Sequence, residues 1–367
     1  MQQVVVREQW QEELVKSVRT IDDLLVYVPG ADREVLRKVM GTMRMAITPH
    51  TVKLIDWTDA RDPLLLMAVP AADELLVRDG EEVDPLGDTV QERVPFLTHR
   101  YPNRVLVYPT FTCSHYCRFC FRRFRTGVAT VPPAPKDMET IREYLVAHPE
   151  VDEVILSGGD PLTLTDAMLE RWLVLIRSVS SVVRIRIHTR VPVNLPSRIT
   201  NELLEMLVKY QDAKRPVILV THFNHVREIA EENVTAIARM VDHGIVVRNQ
   251  SVLLRGVNDS VEVLEELCAG LTNIRVQPYY IHQLDLAKGT NHFRVPLVEA
   301  MDLMARLQGR VSGVALPRLM VSLPNGKGKV QAMQTCFEMV AEGKYRVKTW
   351  EGEVVEYCEP NERVTGN

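Results

Sequence analysis

The sequence predicts an α/β chain built on a partial barrel of six βα units of the TIM type, with a helical region before it and a further segment after it. Three observations predict this. From residue 105 onward, short β-rich runs at 105–109, 151–156, 182–188, 216–221, 245–249 and 274–281 alternate with amphipathic stretches at 138–147, 166–179, 199–210, 226–243 and 260–271. The runs are mostly apolar, as strands buried on both faces are, and strand–helix alternation makes such strands parallel. Polar or glycine-rich segments follow the strand ends, where a barrel of this kind gathers its catalytic groups. Six units leave the barrel open where eight would close it.

Residues 1–95 read as an N-terminal helical region, with helices at 8–19, 33–42 and 71–78 set apart by proline-containing turns. Residues 96–285 make up the barrel. Within it, Thr165 before Asp166-Ala-Met-Leu-Glu has the form of a capped helix start. Residues 286–367 form the C-terminal segment, with a helix at 295–307, a strand at 318–323 and a hairpin of 345–350 with 353–357 around Glu351-Gly352.

Composition narrows the function classes. At 367 residues, 46% hydrophobic and 25% charged, the chain has the make-up of a soluble globular protein with an ample core. A formal charge of −4 and a pI near 6.2 argue against a general nucleic-acid surface. The basic cluster Arg118, Arg122, Arg123 and Arg125 is local and reads as a site for anionic small molecules. Six cysteines, three of them in one loop, point to a reducing cytoplasm. The N-terminus has no apolar core of a signal peptide, and no uncharged apolar run is long enough to span a bilayer, so no membrane partner is expected.

The most informative stretch is Cys113-Ser-His-Tyr-Cys117-Arg-Phe-Cys120-Phe-Arg-Arg, directly after the first barrel strand. Three soft thiolates at these gaps can hold a [4Fe–4S] cluster by three corners and leave the fourth iron open. Zinc with His115 as a fourth ligand is an alternative, although structural zinc draws more often on two separated ligand pairs. Disulfides are another, without a secretory context to favour them. One βα unit later comes Ser157-Gly158-Gly159-Asp160-Pro161, where glycines admit close backbone approach and N–H groups suit a polar or anionic ligand. Thr189-Arg190, Thr221-His222-Phe223-Asn224-His225 and Asn249-Gln250-Ser251 end later strands. Each of these could equally be a satisfied structural group, and His225 could be a helix cap.

Taken together, the cysteine loop, Leu-Ser-Gly-Gly-Asp, Thr-His-Phe-Asn-His, Asn-Gln-Ser-Val-Leu-Leu-Arg-Gly-Val-Asn-Asp and His-Phe-Arg-Val-Pro resemble the lysine 2,3-aminomutase family of radical S-adenosylmethionine (SAM) enzymes. The likeness begins upstream at Arg44-Met-Ala-Ile-Thr-Pro and Thr98-His-Arg-Tyr-Pro-Asn-Arg and runs to about residue 359. It implies a cluster on Cys113, Cys117 and Cys120, with SAM held near Phe119, Ser157, Gly158, Gly159, Asp160, His222 and Gln250. It also implies pyridoxal 5′-phosphate (PLP) as second cofactor and an external one-electron reductant such as flavodoxin or ferredoxin. In such enzymes an adenosyl radical removes a β-hydrogen from the PLP-bound amino acid, and the nitrogen moves from C2 to C3. Cofactors of this kind carry the difficult chemistry, while the protein positions them.

The resemblance assigns further residues. The family's PLP loop is Pro, four Gly and Lys; here it reads Pro324-Asn325-Gly326-Lys327-Gly328-Lys329, which makes Lys329 the anchoring lysine and Lys327 the alternative. Arg100, Tyr101 and Arg104 match residues around the PLP phosphate, and Arg122 matches the partner of the substrate carboxylate. Asp285 matches the first of two aspartates that hold a distal ammonium, while Ser322 stands where the second is expected. Lysine is therefore the first substrate, with ornithine, arginine or a smaller amino acid as alternatives. A related radical reaction with altered or no PLP use remains a second enzyme reading, and a non-catalytic zinc protein a third. Only Cys336 and Cys358 remain near the C-terminus, so no zinc is expected; a homodimer is.

Overall fold

A computed structural model of the chain describes residues 8–127, 131–333, 337–341, 344–349 and 351–358. Its main sheet has ten strands in sequence order: β1 (Glu92–Val94), β2 (Leu97–Tyr101), β3 (Arg104–Thr110), β4 (Glu153–Gly158), β5 (Arg184–His188), β6 (Val217–Thr221), β7 (Val246–Leu253), β8 (Gln277–Gln283), β9 (Arg318–Ser322) and β10 (Lys329–Gln331). Neighbours from β3 to β9 all pair in parallel. This is the partial TIM-type barrel, with β3 to β8 as the six expected strands and β9 as a seventh. Antiparallel β1–β2 at one edge and β10 at the other were not expected. They are too short and too polar for a pattern of apolar runs to reveal.

Local chemistry sets the element limits. Thr165 caps its helix through Met168 N–H, as expected. The last barrel strand begins at Gln277 rather than at 274, because Ile274 still caps the helix Val261–Asn273 and Arg275 reverses the chain at φ 65°. The stretch 226–243 splits into a single turn, Val226–Glu228, and the helix Glu231–Asp242. The break follows from Glu228, whose carboxylate takes the N–H groups of Asn224 and His225. Of the expected helix at 71–78, only the 3-10 turn Ala72–Leu75 forms.

The N-terminal helices are bound to the mouth of the barrel. Val18, Leu24, Leu36, Ile47, Leu64 and Met67 share one core with Phe119, Leu254, Leu284 and Phe293 from the strand-end loops. Polar ties add to this packing: Asp62 pairs with Arg227, His50 Nε2 meets Asn233 Oδ1 at 3.0 Å, and Thr48 donates to the Asn194 carbonyl. Past β10, a separate three-stranded antiparallel sheet comprises β11 (Phe337–Ala341), β12 (Lys344–Lys348) and β13 (Val354–Cys358). Two of its strands are the expected hairpin. Cys336 and Trp350 lie outside the described residues. Among the described residues no helix is long and apolar enough to cross a membrane.

Candidate active site

A cavity of about 590 Å³ opens at the C-terminal strand ends and runs down inside the barrel. Cys113, Cys117 and Cys120 line it together with Phe119, Ser157, Gly158, Gly159, Asp160, His222 and Gln250. Arg100, Tyr101, Arg104, Arg122, Asp285 and Lys329 line it as well, while Ser322 stands just outside, against Lys329. Lys327 is exposed on the loop and does not line the cavity.

The Gly-Gly pair explains how the cysteine loop is held. Gly159 N–H donates to the Thr110 carbonyl at 2.8 Å, and Asp160 N–H to that of Thr112 at 2.9 Å. A Cβ on Gly159 would lie 2.4 Å from Thr112 O, and one on Gly158, at φ 104°, would lie 2.5 Å from Thr110 O. These N–H groups are therefore engaged by the cysteine loop and do not face a ligand, contrary to the sequence expectation. The Asp160 carboxylate is engaged too, by Thr189 Oγ1 at 2.6 Å, Arg190 N–H at 2.6 Å and Leu162 N–H at 3.1 Å. It ties the end of β4 to the end of β5.

Arg190, fixed in this way, is buried and donates in three directions. Its Nε reaches the His222 carbonyl at 3.0 Å, its Nη1 reaches Cys117 Sγ at 2.7 Å, and its Nη2 pairs with Glu228. Burial pushes the thiol pKa values of Cys113 and Cys117 up; Asp160 and the other two cysteines raise Cys113 further, whereas Arg190 eases Cys117 back. As free thiols they stay protonated, so only a strongly electrophilic group would hold them as thiolates. Among the described residues no three His, Cys, Asp or Glu side chains converge tightly enough to hold a single metal ion.

At another part of the cavity wall, Lys329 meets the barrel. Lys329 N–H donates to Tyr101 Oη at 2.7 Å, and a Cβ on Gly328 would come within 3.0 Å of the same oxygen. Lys329 Nζ lies 3.1 Å from Ser322 Oγ and 3.4 Å from His282 Nδ1. Loss of water around the amine pushes its pKa below the usual lysine value, with Asp285 opposing. Burial pushes the Asp285 carboxyl up, while Lys329 and a hydrogen bond from Ser322 draw it back. Asp285 Oδ1 is buried and has no hydrogen-bond partner. The loop's left-handed positions are Asn325 (φ 57°), Gly326 (φ 73°) and Gly328 (φ 92°). Asparagine is the non-glycine residue best suited to that conformation, and Lys327 does not need it.

Several site residues escaped sequence reasoning. Asp88, 1% exposed, accepts Arg122 Nε at 2.7 Å and Arg100 Nη2 at 3.2 Å, while Arg122 Nη1 donates to Ser157 Oγ at 3.1 Å. Nothing in the turn Pro85-Leu-Gly-Asp88 announces this. His188 and His282 also face inward: Gln250 Nε2 lies 3.1 Å from His188 Nδ1, and Gln250 Oε1 lies 3.3 Å from His282 Nε2. Their one signal was polar character at the end of an apolar strand. Nor is the basic cluster a free anion site. Arg118 and Arg123 share Glu74, Arg122 holds Asp88, and Arg125 holds Glu92, so residues ahead of the barrel neutralise much of it.

Comparison with known proteins gives the family. The model of the Radical SAM superfamily matches residues 107–268, from β3 to the helix after β7. L-lysine 2,3-aminomutase from Acetoanaerobium sticklandii is 40% identical over 354 residues, covering 96% of this chain and 84% of that protein. The Clostridium subterminale L-lysine 2,3-aminomutase is 40% identical over 353 residues, with coverage of 96% and 84%. Glutamate 2,3-aminomutase from Clostridioides difficile is 34% identical over 348 residues, covering 94% and 81%. Identity of this extent, across barrel and flanking segments alike, means that the chain belongs to the lysine 2,3-aminomutase family, radical SAM isomerases that act with an iron–sulfur cluster on small amino-acid substrates.

Proposed function

We propose that the chain is a SAM- and PLP-dependent 2,3-aminomutase for an amino acid with a cationic end, L-lysine first. The observation that carries this reading is Asp285, a buried carboxylate with one oxygen unpartnered and the other side served by Ser322. An unpaired buried carboxylate is costly, and a substrate ammonium would relieve it. A glutamate side chain would instead add a second negative charge there.

The residues present fit both cofactors. Three thiols around one cavity, with Cys113 and Cys117 raised in pKa by burial and Cys117 approached by Arg190, suit the corners of an iron–sulfur cluster, which would supply the cleavage of SAM to a carbon radical when bound and reduced by an external donor. We assign Phe119, Ser157, Gly158, Gly159, Asp160, His222 and Gln250 to the SAM side; Asp160 serves there as a support and not as a ligand. Lys329 fits PLP anchorage because its amine is held toward the neutral form, as an attacking nitrogen must be. Arg100, Tyr101 and Arg104 would face the PLP phosphate; the Arg104 guanidinium lies 3.7 Å over the Tyr101 ring. Arg122 would meet the substrate carboxylate with Nη2, since Nε and Nη1 are held by Asp88 and Ser157. The departures at Asn325 and Lys327 do not argue against PLP, because the loop conformation accommodates both.

The test is anaerobic turnover of reconstituted protein with SAM, PLP and a reductant against L-lysine, L-ornithine, L-arginine, L-alanine and L-glutamate, scored by mass spectrometry and NMR. A β-amino acid from lysine is expected. Formation of 5′-deoxyadenosine without a β-isomer from any substrate would sink the aminomutase assignment, and a β-product from glutamate alone would sink the role of Asp285.

A further inference from the structure

Resting on that function, we infer that the Lys329 ammonium and the cationic end of the substrate are alternative counter-ions for Asp285, so that PLP capture opens the cation subsite. The geometry is a short chain of neighbours at the cavity wall. Lys329 Nζ lies 3.1 Å from Ser322 Oγ, Ser322 hydrogen-bonds Asp285, and Asp285 Oδ1 remains unpartnered at the cavity wall. In the protein without cofactor, Lys329 is the cation nearest in effect to this carboxylate, and each group draws the other toward its charged form. The other charges that face them are Arg122, Arg100 and Asp88, which are already committed to one another, and Arg294, whose Nη2 is held by the Asp285 backbone carbonyl at 3.0 Å.

Capture of PLP changes that balance. A C=N bond forms between Nζ and the aldehyde carbon, and the aldehyde oxygen leaves as water with two of the ammonium hydrogens. Nζ, now part of the imine, would no longer offer Asp285 a full ammonium. A buried carboxylate deprived of its cation favours a new one, so the site becomes selective for an ammonium only after the lysine has been used. Ser322 sharpens this exchange. With one carboxylate instead of two, there is room for a single cation, and Lys329 and substrate cannot both be compensated. The same logic makes Asp285 a brake on PLP capture, because it stabilises the ammonium form that cannot attack.

The test reads PLP binding rather than turnover. Apo protein is mixed with PLP, the imine absorbance is followed, and the product is trapped with borohydride and located by peptide mass. Asp285→Asn is expected to speed capture at neutral pH by roughly tenfold, the effect of about one pKa unit on the amine. The same variant should lose the absorbance change that L-lysine induces on the loaded protein, while keeping that induced by L-norleucine. Ser322→Asp should do the reverse, slowing capture and strengthening the lysine response. Iron content of each variant reports that the barrel is intact. Unchanged or slower capture in Asp285→Asn, or faster capture in Ser322→Asp, would overturn the exchange. Lys329→Ala separates the two levels: covalent PLP surviving that substitution would remove the anchoring role and the exchange together, whereas its loss alongside normal capture in Asp285→Asn would remove the exchange alone.

Discussion

Replacing Asp88 with asparagine should uncover how far Arg100 and Arg122 depend on one buried carboxylate. Asp88 is 1% exposed and accepts Arg122 Nε at 2.7 Å and Arg100 Nη2 at 3.2 Å. Burial alone would raise its carboxyl pKa, but the charge and hydrogen bond of Arg122, with Arg100 and Arg125, outweigh that and hold it below the usual carboxylate range. Removing one partner of a buried pair costs about 3–5 kcal/mol, because the remaining charge is stranded. For 367 residues at about 2.1 cal/mol/K of unfolding entropy each, 1 kcal/mol moves the melting temperature by ~1.3 °C, so a drop of about 4–6 °C is expected. The sign with pH follows from the depressed pKa. The stabilisation is complete above the unfolded carboxyl pKa of about 3.9 and is lost as pH falls through the lower folded value. Differential scanning calorimetry of wild type and Asp88→Asn near neutrality and in acid measures both. A variant melting within about 1 °C of wild type near neutral pH, or a gap that does not narrow below about pH 4, would refute the reasoning.

Three further substitutions test the site. Cys117→Ala should abolish both bound iron and 5′-deoxyadenosine formation; a variant that still cleaves SAM would remove Cys117 from the ligand set. Gly159→Ala places a Cβ 2.4 Å from the Thr112 carbonyl oxygen, so the cysteine loop must shift and iron content should fall several-fold; wild-type iron content in that variant would deny the close approach its role. Its control is Thr163→Ala, which removes a hydroxyl 3.3 Å from the same oxygen and should leave iron content intact. Asn325→Val should destabilise the loop at 324–329 by about 1–2 kcal/mol, since a branched residue resists φ 57°, whereas Asn325→Gly should be neutral or slightly stabilising. PLP affinity by absorbance titration separates these two variants, and equal affinities would deny the loop its left-handed turn.

Much of the barrel was legible because its signal is periodic. Apolar runs such as 182–188 and 216–221 coincide with β5 and β6 to within two residues. The edge strands were not, since β1 is Glu-Arg-Val and β10 is Lys-Val-Gln, too short and polar to carry a pattern. At the site, resemblance led to residues that line one cavity, from Cys113 to Lys329 across more than half of the chain. What it could not supply was the set of partners. Asp88, Glu74 and Glu92 look like ordinary solvated acids in a loop-rich stretch, and only the fold brings them against the arginines. The neighbours of Gly158-Gly159 were hidden for a related reason: a glycine pair records that something approaches closely, but not which loop it is.

The partners ahead of the barrel also bear on why a helical region accompanies it. Arg118, Arg122, Arg123 and Arg125 from the cysteine loop, with Arg100, meet Glu74, Asp88 and Glu92; five guanidiniums thus face three carboxylates and leave two positive charges. Unpaired, five buried guanidiniums would be intolerable at low dielectric; fully paired, they would hold nothing for an anion. Of the five, Arg100 and Arg122 line the cavity and share Asp88, so one surplus positive charge stays there for the anionic groups the proposed reaction brings, which favour a guanidinium over a point charge. The acidic stretch 74–92 therefore does two things at once. It fastens the loop on which the cluster would sit, and it sets how much positive charge the cavity keeps for its ligands. A barrel stripped of that stretch would retain its parallel strands and lose both.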